Sequence, residues 1–183
     1  MRSIRLIRRF GVGALGILCL TSAGLWRQVA PASDRTALLG RGSPDALLIA
    51  GAVEHPESLT LGALMREPAT TETVSLKTER GDLTASYTGV LLWSLLEQAS
   101  IKVSPGIKND ILRHTIIVTG RDGYEVALSL AEVDPKFGND RALIAYARNG
   151  EPLAHGRGFA RLIVPTDKSA GRAVFGIARI TVR

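Results

Sequence analysis

The first recurring pattern in the chain is an alternation of apolar and polar residues. Val74, Leu76 and Thr78 occupy one face of such a stretch, and a turn at 80–82 separates it from a second alternating stretch that ends at Tyr87. Alternation with a period of two is typical of half-buried strands, and a glycine-containing turn between two such runs indicates a β-hairpin. We therefore expect a hairpin over 74–87.

Other stretches also have the length and composition of strands. They combine β-branched or other apolar residues with turn signals at their ends, which favours extended structure over helix. A second hairpin is predicted around the turn 120–123. The stretches concerned are 46–53, 115–119, 124–128, 142–147, 161–164 and 173–182.

Two stretches have helical spacing. Leu92, Leu95, Leu96 and Ala99 follow the i, i+3, i+4, i+7 rule, which predicts the clearest helix of the chain. A shorter helix is predicted after the capping residue Thr60, with Pro68 beyond its end. Short strands with a few inserted helices predict an α+β, strand-rich fold.

The first 32 residues differ from this domain. Four arginines and no acidic residue lie in 1–9, and an apolar run of 17 residues separates Arg9 from Arg27. A basic start, an apolar middle and a small-residue exit at 30–32 are typical of a secretory signal, cleaved after Ala32 or near Ala23. An uncleaved N-terminal anchor is the alternative. Residues 33–45 are predicted to form a flexible tether before the domain at 46–183.

Charge and cysteine content narrow the possible functions. Five of the 23 basic residues and none of the 17 acidic residues fall in 1–32, which leaves 18 bases against 17 acids in the remainder. The basic residues of the domain are dispersed, which argues against nucleic-acid binding. The single cysteine, Cys19, precedes the domain, so the domain has no disulfide and no thiolate ligand of its own.

Familiar catalytic and metal motifs are missing. His55, His114 and His155 are isolated from one another and lack the spacing of a zinc site, so we expect no metal bound by side chains. The chain has no G-x-S-x-G sequence for serine hydrolysis. The glycines around Arg157 lack the spacing of a dinucleotide-binding loop.

Several separated segments nevertheless resemble one family. The most specific are Leu143–Leu153, Gly158–Pro165 and the Tyr87–Leu92 stretch that opens the main helix. The others are Leu47–Val53 with Pro56 and Leu59, Asp122–Tyr124, Asp167–Lys168 with Arg172, and Ala178–Val182. Together they resemble the oxidoreductase molybdopterin-binding domain of sulfite oxidases and periplasmic methionine-sulfoxide reductases, over residues 46–183.

The resemblance implies a sulfite-oxidase-like fold and molybdopterin as cofactor, and it leaves the catalytic residues unassigned. The predicted secretory signal or anchor implies an exported protein, periplasmic or tethered to the membrane, and an electron-transfer partner is expected in either place. Basic side chains beside glycine-containing loops could bind the cofactor's phosphate, although a solvated surface explains them equally well. The predicted cofactor-binding residues are Thr78, Asp122, His155, Arg157, Arg161, Lys168 and Arg172.

One departure from the family pattern leaves the activity open. The enzymes use a cysteine in the strand before the main helix as a metal ligand, and the corresponding position here falls near Thr78. A hydroxyl replaces a soft thiolate poorly at a redox-active metal. The sequence is thus consistent with a molybdenum-cofactor oxidoreductase and with a non-catalytic module that binds a small anionic ligand or a partner protein.

Overall fold

In the computed structural model, residues 46–153 and 158–183 are described. These residues contain ten strands, three short α-helices and two 3₁₀ turns, joined by loops. The strands are β1 Ala46–Gly51, β2 Glu57–Thr60, β3 Thr70–Thr78, β4 Gly81–Leu91, β5 Thr115–Gly120, β6 Glu125–Ser129, β7 Leu143–Arg148, β8 Glu151–Pro152, β9 Arg161–Ile163 and β10 Ile177–Val182. The helices are α1 Leu61–Leu64, α2 Leu92–Ala99 and α3 Leu130–Val133, and the 3₁₀ turns are Asp110–Arg113 and Ala170–Arg172.

The strands form two sheets. The first has the order β2-β1-β10-β5-β6, in which β1 and β10 run parallel and the other neighbours run antiparallel. The second has the order β3-β4-β7-β8, and β9 also pairs with β7, along the first residues of that strand, whereas β8 pairs with its last two residues. Strand-rich α+β architecture is therefore confirmed. No helix of the described residues has the length and apolar character needed to span a bilayer.

Two hydrophobic clusters flank β7 and β9. Ile144 and Leu162 belong to the larger cluster, which also contains the apolar face of α2. Leu143 and Ile163 belong to the smaller cluster, together with Tyr87. Because alternate side chains enter different clusters, both faces of these strands are buried, and their sequences read as continuous apolar runs.

Local sequence signals explain most element boundaries. The Thr60 hydroxyl accepts a hydrogen bond from the Ala63 amide at 3.2 Å, which caps α1 as predicted. At α3, Ser129 and Glu132 form a capping box. Asn149 and Gly150 both have positive φ, as a two-residue hairpin turn between β7 and β8 requires.

The last predicted strand is too long. Strand β10 begins at Ile177, whereas the sequence pattern predicts extended structure from residue 173. The chain first closes the 3₁₀ turn at Ala170–Arg172 and then bends at Gly176, where φ is +55°. Phe175 forms only an isolated bridge with Arg161 before this bend. The sequence pattern does not predict strand β2, Glu57–Thr60, which pairs with β1 in the first sheet.

Candidate functional site

A cavity of about 870 Å³ opens beside the tip of the β3–β4 hairpin. We call it the hairpin-tip cavity. Its wall consists of residues 77–83 at the hairpin tip, residues 169–171 at the start of the second 3₁₀ turn, and Arg148, Arg161 and Phe175. Its volume lies in the range of small-molecule and cofactor sites.

The cavity wall is predominantly basic. Four bases line it, namely Lys77, Arg80, Arg148 and Arg161, against two acids, Glu79 and Asp82. Both acids are on the exposed hairpin tip, whereas Arg161 is only 5% exposed. The interior of the cavity therefore presents positive charge, which favours an anionic ligand.

Arg161 is held between two aromatic rings. Its NH1 donates a hydrogen bond to the Tyr87 hydroxyl at 2.9 Å, and Tyr87 is fully buried. The guanidinium carbon lies 3.8 Å from the centroid of Phe175 and 5.5 Å from that of Tyr87. These contacts fix a buried cation at the cavity wall, with the partly exposed Phe175 ring covering it.

Thr78 lines the cavity, but its hydroxyl is hydrogen-bonded within the hairpin turn. Its Oγ1 donates to the Gly81 carbonyl at 2.8 Å and accepts from the Arg80 amide at 3.1 Å. The hydroxyl thus stabilises the turn between β3 and β4. No described group of three or more His, Cys, Asp or Glu side chains could hold a metal ion.

The other predicted binding residues are arranged differently. Asp122 is in the β5–β6 turn, where its Oδ1 accepts from the Tyr124 amide at 3.0 Å, and it does not line the cavity. Lys168 does not line it either, although its carbonyl accepts from the Lys77 amide at 3.0 Å. His155 and Arg157 lie outside the described residues.

Arg172 also lies outside the cavity wall, because acidic partners hold it elsewhere. Its NH2 is 2.6 Å from Asp167 Oδ1, and its NH1 is 3.2 Å from Glu132 Oε1. The hydrogen bonds to Asp167, assisted by those to Glu132, raise the pKa of Arg172 above its usual value. Of the seven predicted residues, the structure thus brings Thr78 and Arg161 together at one cavity.

Sequence reasoning missed three residues of this site. Tyr87 appears only among the residues that carry the family resemblance, and the sequence pattern assigns no binding role to Arg148 or Phe175. Arg148 lies at the end of a strand whose other residues are apolar or aromatic, and a cation at the end of such a strand is the sequence feature that could have indicated a binding role. Phe175 lies in a stretch predicted to be a regular strand, and that prediction does not indicate a contact between its ring and Arg161.

Comparison with known proteins gives a family and a related structure. The model of the family described as oxidoreductase molybdopterin binding domain matches residues 44–183. Among solved structures, the sulfane dehydrogenase SoxCD from Paracoccus pantotrophus is similar, with a TM-score of 0.61 and 25% identity. That match covers 76% of this chain and 39% of the other, so this chain corresponds to well under half of it. No functionally curated protein matches the chain.

Proposed function

Because the chain belongs to the oxidoreductase molybdopterin-binding domain family, we propose that the hairpin-tip cavity binds molybdopterin. The observation that carries this proposal is a single cavity of about 870 Å³ whose wall holds four bases and an aromatic ring over a buried arginine. Molybdopterin combines a flat heterocyclic ring with a phosphate on its side chain, so it matches both the aromatic ring and the positive charge of the cavity. When bound, the cofactor supplies oxygen-atom or electron-transfer chemistry.

The residues present fit the organic part of the cofactor better than its metal. Arg161 and Arg148 offer guanidinium groups suited to a phosphate, and Phe175 offers a flat apolar surface. The side chain at the position of the family's cysteine, Thr78, has a hydroxyl that is already bonded within the turn. The cofactor's own dithiolene would therefore have to hold the metal without a thiolate from this domain.

The experiment is a cofactor analysis of the full chain. The protein is produced in a host that makes molybdopterin and is supplied with molybdate, and is then assayed for molybdenum by elemental analysis and for pterin by fluorescence after oxidation. A host unable to make molybdopterin provides the control. Pterin in stoichiometric amount is the expected result, and absence of both pterin and molybdenum would contradict the proposal.

The bonded Thr78 hydroxyl favours a second candidate, a non-catalytic module that binds a small anionic ligand or a partner protein. In that case the fold and the basic cavity persist without metal chemistry. The same analysis separates the two candidates, since stoichiometric molybdenum would exclude the module and a bound anion without molybdenum would support it.

We further propose that the protein is exported and works in the periplasm or on a membrane facing it, with an electron-transfer partner there if it is catalytic. Support comes from the basic and apolar character of residues 1–32, which lie outside the described residues. The N-terminal mass of protein recovered from the periplasmic and membrane fractions tests this. Cleavage after Ala32 or near Ala23 is expected for a signal, and full-length protein confined to the cytoplasm would contradict export.

A further inference from the structure

A β-bulge turns Arg148 towards the hairpin-tip cavity. On β7, Ala145 is opposite Gly89 of β4, but Ala147 is opposite Thr88, so one extra residue is inserted between them. Such an insertion moves all later side chains of the strand to the other face. Arg148 consequently pairs with Tyr87 on the cavity side, instead of joining the exposed side on which Thr88 lies.

Tyr87 therefore stands between two cations that line one cavity. Its hydroxyl accepts from Arg161, and its strand neighbour across the β4–β7 ladder is Arg148. Both arginines line the same wall. Two positive charges on one cavity wall repel each other, and an anion bound beside them would reduce that repulsion.

Arg148 also has an unused hydrogen-bond donor. Its Nε is buried and makes no hydrogen bond to the described part of the chain. Glu151 is its partner in the β7–β8 register, yet no ion pair joins the two among the described residues. Arg172, by contrast, forms ion pairs with two carboxylates, those of Glu132 and Asp167. A buried guanidinium donor without an acceptor is costly, and a bound ligand is a usual way to satisfy it.

We propose that Arg148 is the anion-binding residue of the hairpin-tip cavity and that it takes a tetrahedral oxyanion of the phosphate type. A guanidinium presents two parallel donors that match two oxygens of such an ion. This inference deepens the proposed function and rests on it for the expectation that the ligand carries a phosphate. The oxyanion is either the phosphate of the cofactor or a free ion.

The test uses Arg148→Met and, as a matched control, Arg66→Met, which removes an exposed arginine that does not line the cavity. Inorganic phosphate and sulfate are titrated by calorimetry, at low ionic strength, into the full chain produced in the host unable to make molybdopterin. We expect about a 10- to 100-fold loss of affinity in Arg148→Met, as for loss of a charged hydrogen bond, and none in Arg66→Met. Arg148→Lys should fall between them, since it keeps the charge without the paired donors.

Thermal unfolding in the absence of ligand excludes a merely structural role. Removing a buried donor that has no acceptor should leave the melting temperature of Arg148→Met equal to that of the unmodified protein or higher. A lower melting temperature, or unchanged phosphate and sulfate affinity in this variant, would overturn the inference.

Pterin content identifies the source of the oxyanion and separates this inference from the proposed function. If Arg148→Met loses pterin together with phosphate affinity, the residue holds the cofactor's phosphate. If it keeps pterin and loses affinity for free phosphate and sulfate, it binds a separate oxyanion. An unmodified protein that contains no pterin but binds phosphate through Arg148 would contradict the proposed function and support the inference.

Discussion

The buried pair of Tyr87 and Arg161 shows how one residue serves both packing and electrostatics. The Tyr87 ring packs in the smaller hydrophobic cluster, and its hydroxyl reaches the Arg161 guanidinium at 2.9 Å. A phenylalanine at residue 87 would pack equally well but would leave one N–H of a buried cation without this acceptor. The hydroxyl is therefore the part of the side chain that stabilises the charged wall of the cavity.

Substitution Tyr87→Phe should lower the free energy of unfolding by about 1.5–3 kcal/mol, because the lost hydrogen bond involves a charged donor. Chemical denaturation measures this. The control is Tyr124→Phe, which removes the exposed hydrogen bond from the Tyr124 hydroxyl to the Gly171 carbonyl at 2.7 Å and should cost no more than about 1 kcal/mol. Equal losses of unfolding free energy in the two variants would show that the buried Arg161 donor adds nothing to the strength of the Tyr87 hydrogen bond.

At the scale of elements, the close pairing of β4 with β7 depends on a glycine. A Cβ at Gly89 would lie 2.2 Å from the Ile144 carbonyl oxygen and 2.5 Å from the Ala145 Cα. Both atoms belong to backbone, so no side-chain rotation relieves the contact. The same glycine lies opposite the bulge that directs Arg148, which links close strand packing to the shape of the cavity.

We expect Gly89→Ala to destabilise the protein by about 3 kcal/mol or more, since the two strands must separate to admit the methyl group. Gly106→Ala is the comparison, because nothing lies within 4 Å of a Cβ at that position, and its effect should stay within about 0.5 kcal/mol. Denaturant midpoints of both variants give the values. A mild effect of Gly89→Ala would mean that β7 can shift without loss of pairing.

Periodicity predicts elements well where one face is buried and the other is exposed. The hairpin of β3 and β4 and helix α2 follow their apolar spacing, with Val74 and Leu76 buried as expected. Periodicity fails where tertiary contacts end a strand, as at Phe175 and Gly176. It also fails at the bulge in β7, because an inserted residue is invisible in a strand whose two faces are both apolar.

At the scale of the whole molecule, the candidate site could be predicted only in part. Thr78 and Arg161 were found through the family resemblance, and both line the cavity. Arg172 belongs to the segments that resemble the family and to the same basic set as Arg161, but local sequence patterns do not show that Asp167 and Glu132 engage it. Glu132 is 40 residues from Arg172 in the sequence, and a contact at that separation depends on tertiary structure, which local patterns do not contain.

The acid stability of the molecule should reflect two carboxyl groups with opposite shifts. The Ser104 amide donates to Asp110, and Arg113 and His114 add favourable charge, so the pKa of Asp110 is lowered. Burial raises the pKa of Asp140 despite a hydrogen bond from Thr166. Ionised Asp110 therefore stabilises the fold above its unfolded pKa of 3.8, whereas ionised Asp140 destabilises it above its raised pKa.

Unfolding free energies measured against pH should show both signs. Asp110→Asn should be less stable than the unmodified protein at neutral pH, and the difference should close as pH falls below 3.8 through the lowered pKa. For Asp140→Asn the variant should gain relative stability as pH rises through the raised pKa of Asp140. Parallel pH profiles for the two variants would contradict these assignments.

The absence of cysteine from residues 46–183 has a spectroscopic consequence. The only sulfur atom in this stretch belongs to Met65, whose side chain is 57% exposed and does not line the hairpin-tip cavity. If a metal is found in the cavity, X-ray absorption from it would therefore report sulfur neighbours that the domain's own side chains there cannot provide. Sulfur ligands found at the metal could therefore be assigned to the cofactor's dithiolene and not to a side chain of this domain.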